Sequence, residues 1–182
     1  MFRKKRKDPL RAMLYSLASV RRALSRMEAL TSRISSRRQY LLEKAFQLEE
    51  MGNSFLARKY IEEAERLKGF LERTYYIKLV LEKLSLTLEL NIEMKRFGKD
   101  AKEILEIIDI LKKLPESTIP EFALALHDIE VGIREVADIS MAEAIMINNY
   151  DVSTNSEAEK ILAEARAIAQ EKLLNELSTP NK

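Results

Sequence analysis

Met13, Val20, Met27, Ile34, Leu41 and Leu48 recur at every seventh residue, and neither proline nor glycine stands between Leu10 and Met51. A companion row (Leu10, Leu17, Leu24, Thr31, Arg38, Ala45) is apolar at both ends and weakens in its middle. An uninterrupted repeat of this period predicts one helix of about 40 residues, roughly 60 Å long at 1.5 Å per residue, with a buried seam along one side. Met51-Gly52-Asn53-Ser54 is the first place where the chain can turn. Gly52 suits a helix C-terminus, and Asn53 or Ser54 can cap the next helix.

A second long helix is predicted from near Phe55. Its rows are Tyr60, Leu67, Thr74, Leu81, Leu88 and Phe70, Ile77, Leu84. So short a connection makes the two helices antiparallel neighbours, a hairpin over residues 9–97. Gly98 marks a hinge or a short break, since glycine costs about 1 kcal/mol within a helix. A helical stripe resumes at Ala101, Ile104, Leu105, Ile108 and Leu111, and Leu114-Pro115 to Ile119-Pro120 punctuates the chain again. A shorter helix over about 121–147 comes next, closing a core of residues 9–147. Then come a polar linker (148–156), an amphipathic helix (157–177) and a loose tail (178–182). The expected fold class is all-α.

Two helices alone do not bury the seam of such a hairpin. Either the later helices fold back on it or other copies of the chain cover it, and the second solution is self-assembly.

Charge is distributed unevenly. Residues 1–60 carry 15 Lys/Arg against 5 Asp/Glu, whereas residues 100–182 carry 8 against 17. A basic first third and an acidic last third attract each other within one chain or between neighbours, and the basic third also suits an external polyanion. The sharpest cluster is Arg3-Lys4-Lys5-Arg6-Lys7 beside Phe2. Basic residues next to an anionic bilayer contribute about 1 kcal/mol each, so residues 1–8 are expected to bind membrane, with Phe2 at the interface and Arg11 in support. Arg21, Arg22, Arg26, Arg33, Arg37 and Arg38 extend the charge along the first helix as a basic filament face.

Catalytic patterns are missing. The four glycines stand apart, so there is no phosphate loop, and zero cysteines exclude disulfides, thiolate zinc sites and cysteine nucleophiles. The single histidine, His127, reads as a structural or surface residue. No metal or cofactor is expected, and an enzyme is not. No apolar run reaches the roughly 18 to 20 residues that span a bilayer, and the basic start lacks the apolar core of a signal peptide. A cytoplasmic chain, recruited peripherally to membrane, is expected.

The stretch Asn155 to Ala169 resembles the C-terminal helix of archaeal ESCRT-III proteins, the CdvB cell-division family. Ala57 to Leu67 and Leu79 to Glu89 are similar to that family's core hairpin, and Leu114-Pro115 to Phe122 to its middle section. The resemblance implies a subunit that polymerises on acidic membranes to constrict or cut them, in cell division or vesicle release. It implies as partners further copies of the chain, paralogues, acidic lipids and a Vps-type AAA ATPase (CdvC). It also implies a closed state in which the acidic C-terminal helix regulates opening, through Glu157, Glu159, Ile161, Leu162, Ile168 and Leu173. The family's ATPase-binding motifs match poorly, since Arg166 is out of step and Pro180 stands alone, so direct and indirect ATPase contact both stay open. The chain is most like a short paralogue without the winged-helix domain. Two rival readings rest on the residues alone. One is a coiled-coil scaffold or adaptor without lipid binding. The other is a basic architectural protein for nucleic acid, which lacks a reading helix or aromatic platform.

Overall fold

The computed structural model describes residues 8–144 and 155–178. The basic segment 1–7, residues 145–154 (most of the expected linker with the end of the expected core) and the tail from 179 lie outside the described residues. Among those described, five α-helices and one 3-10 turn succeed one another. They are α1 Pro9–Glu50, α2 Ser54–Glu93, α3 Ala101–Lys112, the 3-10 turn Pro115–Thr118, α4 Pro120–Ala144 and α5 Asn155–Ser178. The fold is all-α, with no strand among the described residues.

Local chemistry accounts for the helix ends. Asp8 accepts a hydrogen bond from the Leu10 N–H at 3.1 Å, and Pro9 occupies the first helical position, where its missing N–H costs nothing. At the other end of α1, the Asn53 N–H donates to the Leu48 carbonyl and the Gly52 N–H to that of Glu49. With Gly52 at φ 78°, this is a Schellman stop. The Asn53 carboxamide oxygen then accepts from the Leu56 N–H, capping α2.

The break expected at Gly98 begins earlier. The Arg96 N–H donates to the Asn91 carbonyl and the Lys95 N–H to that of Ile92, a second Schellman stop with Lys95 at φ 52°. A lysine thus holds a left-handed position that usually takes glycine. Gly98 stands in the connecting turn at φ 84°. A Cβ there would stand 1.9 Å from the Ser140 hydroxyl oxygen, so only glycine fits. That hydroxyl donates to the Phe97 carbonyl at 3.0 Å and ties the turn to α4.

The chain forms two compact units. The first contains the described residues of 1–26 and 80–164; the second contains 27–79 and the described residues from 165 onward. In the first, Ile104, Ile107, Ile108 and Leu111 of α3 pack with α4, whose Phe122, Leu126, Ile129, Ile133 and Val136 are fully buried. Met13, Leu17 and Val20 of α1 and Leu81, Leu84 and Leu88 of α2 are buried in the same unit. Gly132 permits a close approach, since a Cβ on it would meet Ser16 Oγ at 2.1 Å and the Ala12 carbonyl at 3.2 Å. Here the later helices fold back on the hairpin, one of the two expected solutions. In the second unit the core is thinner. Ile34, Leu41, Leu71 and Ile77 are buried along the hairpin, and α5 contributes Ala165, Ala169 and Leu173.

Most of the predicted seam is buried: Met13, Val20, Met27, Ile34 and Leu41 are, while Leu48, beside the turn, is half-buried. In the companion row Arg38 is turned inward, its side chain 16% exposed and its guanidinium 3.8 Å from Glu65. A charge in that seam penalises shifted pairings of the two helices.

The two positive-φ residues are expected to respond oppositely. A left-handed conformation costs an L-residue roughly 1–2 kcal/mol, and glycine avoids it. Lys95→Gly is therefore expected to raise stability by up to about 1 kcal/mol, and Gly98→Ala to lower it by about 2 kcal/mol or more because the clash adds to the strain. Urea unfolding measures both; equal effects of the same sign contradict this reading of the turn.

Candidate interaction surface

At 100° per residue, Arg11, Arg22, Arg26, Arg33 and Arg37 fall within an arc of about 80° on α1. Tyr15 and Tyr40, both about half exposed, lie in the same arc. Four of the six arginines expected on a basic face, Arg22, Arg26, Arg33 and Arg37, thus share one stripe of the helix, joined by Arg11 from the expected membrane-binding set. Arg21 and Arg38 project elsewhere.

Within the first unit part of this stripe is met by carboxylates. Arg22 approaches Asp128 of α4 at 3.4 Å, and Arg26 approaches Glu121 of α4 at 3.5 Å. Arg22 also donates to Ser19 at 2.8 Å. Arg21 pairs with Glu89 of α2 at 2.9 Å, and Ser85 donates to the same carboxylate. The Arg21 hydrogen bond, helped by Ser85, holds the Glu89 carboxyl below its ordinary range. The three arginines are more than half exposed, so each pair contributes little and weakens with salt. By contrast Arg11, Arg33 and Arg37 have no carboxylate partner among the described residues.

The acidic helix expected to hold the closed state makes different contacts. In the second unit Arg166 of α5 lies 5.6 Å from the Tyr76 ring centroid, and Lys172 lies 5.0 Å from that of Tyr75. Gln170 donates to Glu72 at 3.1 Å. Cations on aromatic faces and small apolar residues seat this helix. Burial raises the Tyr76 hydroxyl above its ordinary pKa, against the lowering influence of Arg166. Glu159 is exposed with no ion-pair partner among the described residues, and the Glu157 side chain lies outside them. Leu173 is buried, Ile161 and Leu162 are half-buried, and Ile168 is 43% exposed.

Sequence reasoning missed an apolar surface at the hairpin turn. Phe46, Met51 and Phe55 are 65–80% exposed, and Leu56 is 41% exposed. A second exposed set is formed by Leu86 and Leu90 on one side of α2 and Met94 just past its end. Their four-residue spacing was the available signal, but without the later helices in place it could not be told from the core seam. His127 is exposed on α4, and no described helix is long and apolar enough to cross a membrane. No protein-family model matches the chain, and no solved structure matches it.

Glu130 of α4 joins helices in the first unit. It pairs with Lys112 of α3 and with Arg134 one turn along α4. The Lys112 hydrogen bond, and after it that of Arg134, lowers its pKa. A lowered folded-state value means that this stabilisation is present above the unfolded carboxyl pKa of about 4.3 and disappears as pH falls through the folded value. Glu130→Gln is expected to lose about 1 kcal/mol at pH 7, with the gap closing as pH falls from the unfolded carboxyl value through the lowered folded one. Thermal unfolding across that range measures it; a gap independent of pH contradicts an ionic role.

Proposed function

We propose that this chain is a membrane-remodelling subunit of the ESCRT-III type, which polymerises on acidic membranes from a closed monomer. The observation that carries the proposal is the arginine stripe of α1, met by α4 carboxylates at Arg22 and Arg26 and bare at Arg33 and Arg37. A sheet of lipid phosphates competes for the same guanidinium groups, and arginine binds phosphate in bidentate fashion. The internal pairs are exposed and individually weak, so lipid phosphates compete readily for these guanidinium groups, while the apolar burial of α4 is the larger cost that many such contacts along an anionic surface must together offset. Tyr15 and Tyr40 on the stripe supply amphipathic rings suited to an interface.

The apolar residues at the hairpin turn support assembly. Exposed patches of this kind mark contact sites, and the neighbouring Glu49 and Glu50 offset the local basic charge. That composition suits another protein surface better than lipid, so copies of the chain are the partners proposed for the turn. The membrane-binding role of Phe2 to Lys7 belongs to the same proposal, as do Gly98 as the hinge of opening and disassembly by a Vps-type AAA ATPase.

Co-sedimentation with vesicles, imaged by negative-stain electron microscopy, tests this reading. Pelleting and filaments are expected with phosphatidylserine and not with pure phosphatidylcholine. Arg33→Glu with Arg37→Glu is expected to reduce pelleting about tenfold or more, since two reversals of roughly 1 kcal/mol per charge act together. Asp128→Lys with Glu121→Lys, or Gly132→Leu alone, is expected to increase pelleting by undocking α4. A discrete dimer indifferent to both vesicles would instead favour the scaffold reading.

A further inference from the structure

A polar groove of about 290 Å³ opens in the second unit where α1, α2 and α5 come together. From α1 it is lined by Ser32, Ser35 and Ser36, whose hydroxyls have no partner among the described residues. Lys78 of α2 and Lys172 of α5 line it as well. Thr31 forms part of the wall, but its hydroxyl already donates to the Met27 carbonyl at 2.7 Å.

The two lysines form the unusual feature. Their ammonium groups stand 5.8 Å and 5.0 Å from the centroid of one ring, that of Tyr75, so two like charges from different helices are gathered at one place. Neither has a carboxylate partner among the described residues. Interaction with the ring offsets part of their repulsion. A ligand that accepts hydrogen bonds and carries negative charge would offset the rest. The free groups around the groove are donors: two ammonium groups on flexible stems and three hydroxyls. Glu28 also lines the groove and leaves a net charge of +1 among its lining residues. That balance suits a singly or doubly charged tetrahedral anion better than a polyphosphate.

We infer that this groove binds a phosphate monoester and, by bridging Lys78 to Lys172, fastens α5 to the hairpin. The inference rests on the seating of α5 within this unit and not on the filament reading, so either can fail without the other. The phosphate group has two sources, a soluble ester or the headgroup of phosphatidic acid.

The test uses the full chain, with glycerol 3-phosphate as the soluble probe and phosphatidic acid in phosphatidylcholine vesicles as the membrane probe. Nuclear magnetic resonance monitors the lysine ammonium and serine amide signals, and trypsin cleavage after Arg166 and Lys172 reports on α5. Saturable shifts at Lys78, Lys172 and Ser35 are expected, together with slower cleavage after Arg166. Lys78→Ala and Lys172→Ala are each expected to weaken binding about tenfold or more, in keeping with the loss of one charge-assisted hydrogen bond. Glu28→Gln is expected to strengthen it. These are substitutions of surface side chains, and circular dichroism checks that the helices persist. Saturation by the soluble ester alone identifies the free phosphate as ligand, and saturation by phosphatidic acid vesicles alone identifies the headgroup. Shifts that never saturate, that survive in the double lysine variant, or that neither probe produces would overturn the site.

Discussion

An amphipathic helix of some forty residues hides its apolar seam only if something is laid against it, and a single antiparallel partner covers one flank. The rest of this chain is organised by that requirement. In the first unit α3 and α4 supply a full second layer, with Phe122, Ile129 and Ile133 entirely buried. In the second unit the covering element is α5, which offers alanines and one buried leucine. A small-residue face permits close approach but buries little apolar area, so docking of this kind is reversible at modest cost.

The same comparison separates two kinds of electrostatics. Arg38 sits largely within the hairpin seam opposite Glu65, where a charge helps fix pairing. The arginines of the stripe are exposed, and those paired with α4 form contacts that salt and competing anions loosen. Apolar contacts hold α4 in the first unit, and the exposed pairs at its edge are the part that a stronger anion would compete for under the proposed function. That is the physical basis of the proposed membrane role.

Much of the fold was legible in the sequence because its signals are local. The heptad rows, Gly52 with Asn53, and the two Leu-Pro and Ile-Pro steps set helix type and approximate bounds directly. The stop at Lys95 was not legible, since it depends on a lysine accepting a left-handed conformation, whereas the sequence marked the break only at Gly98. The basic stripe was found in outline, but its division was hidden. Which arginines meet carboxylates depends on α4 returning alongside α1, a long-range fact fixed by Gly132 against Ser16. The seating of α5 was not legible either, since its described contacts in the second unit place Arg166 and Lys172 on tyrosine faces that only the folded hairpin presents. The serine-lined groove escaped notice because Ser32, Ser35 and Ser36 resemble an ordinary solvated helix face until Lys78 and Lys172 stand opposite.

The central claim is that anionic membrane displaces α4 from α1. The chain contains no native cysteine, so spin labels at Ser25→Cys on α1 and Leu124→Cys on α4 report the separation of these helices by electron–electron double resonance. A short, narrow distance distribution in solution and with phosphatidylcholine vesicles, lengthening on phosphatidylserine vesicles, is the expected result. Protein that pellets with phosphatidylserine while keeping the short distance would contradict the claim, because the membrane would then be bound without uncovering the stripe.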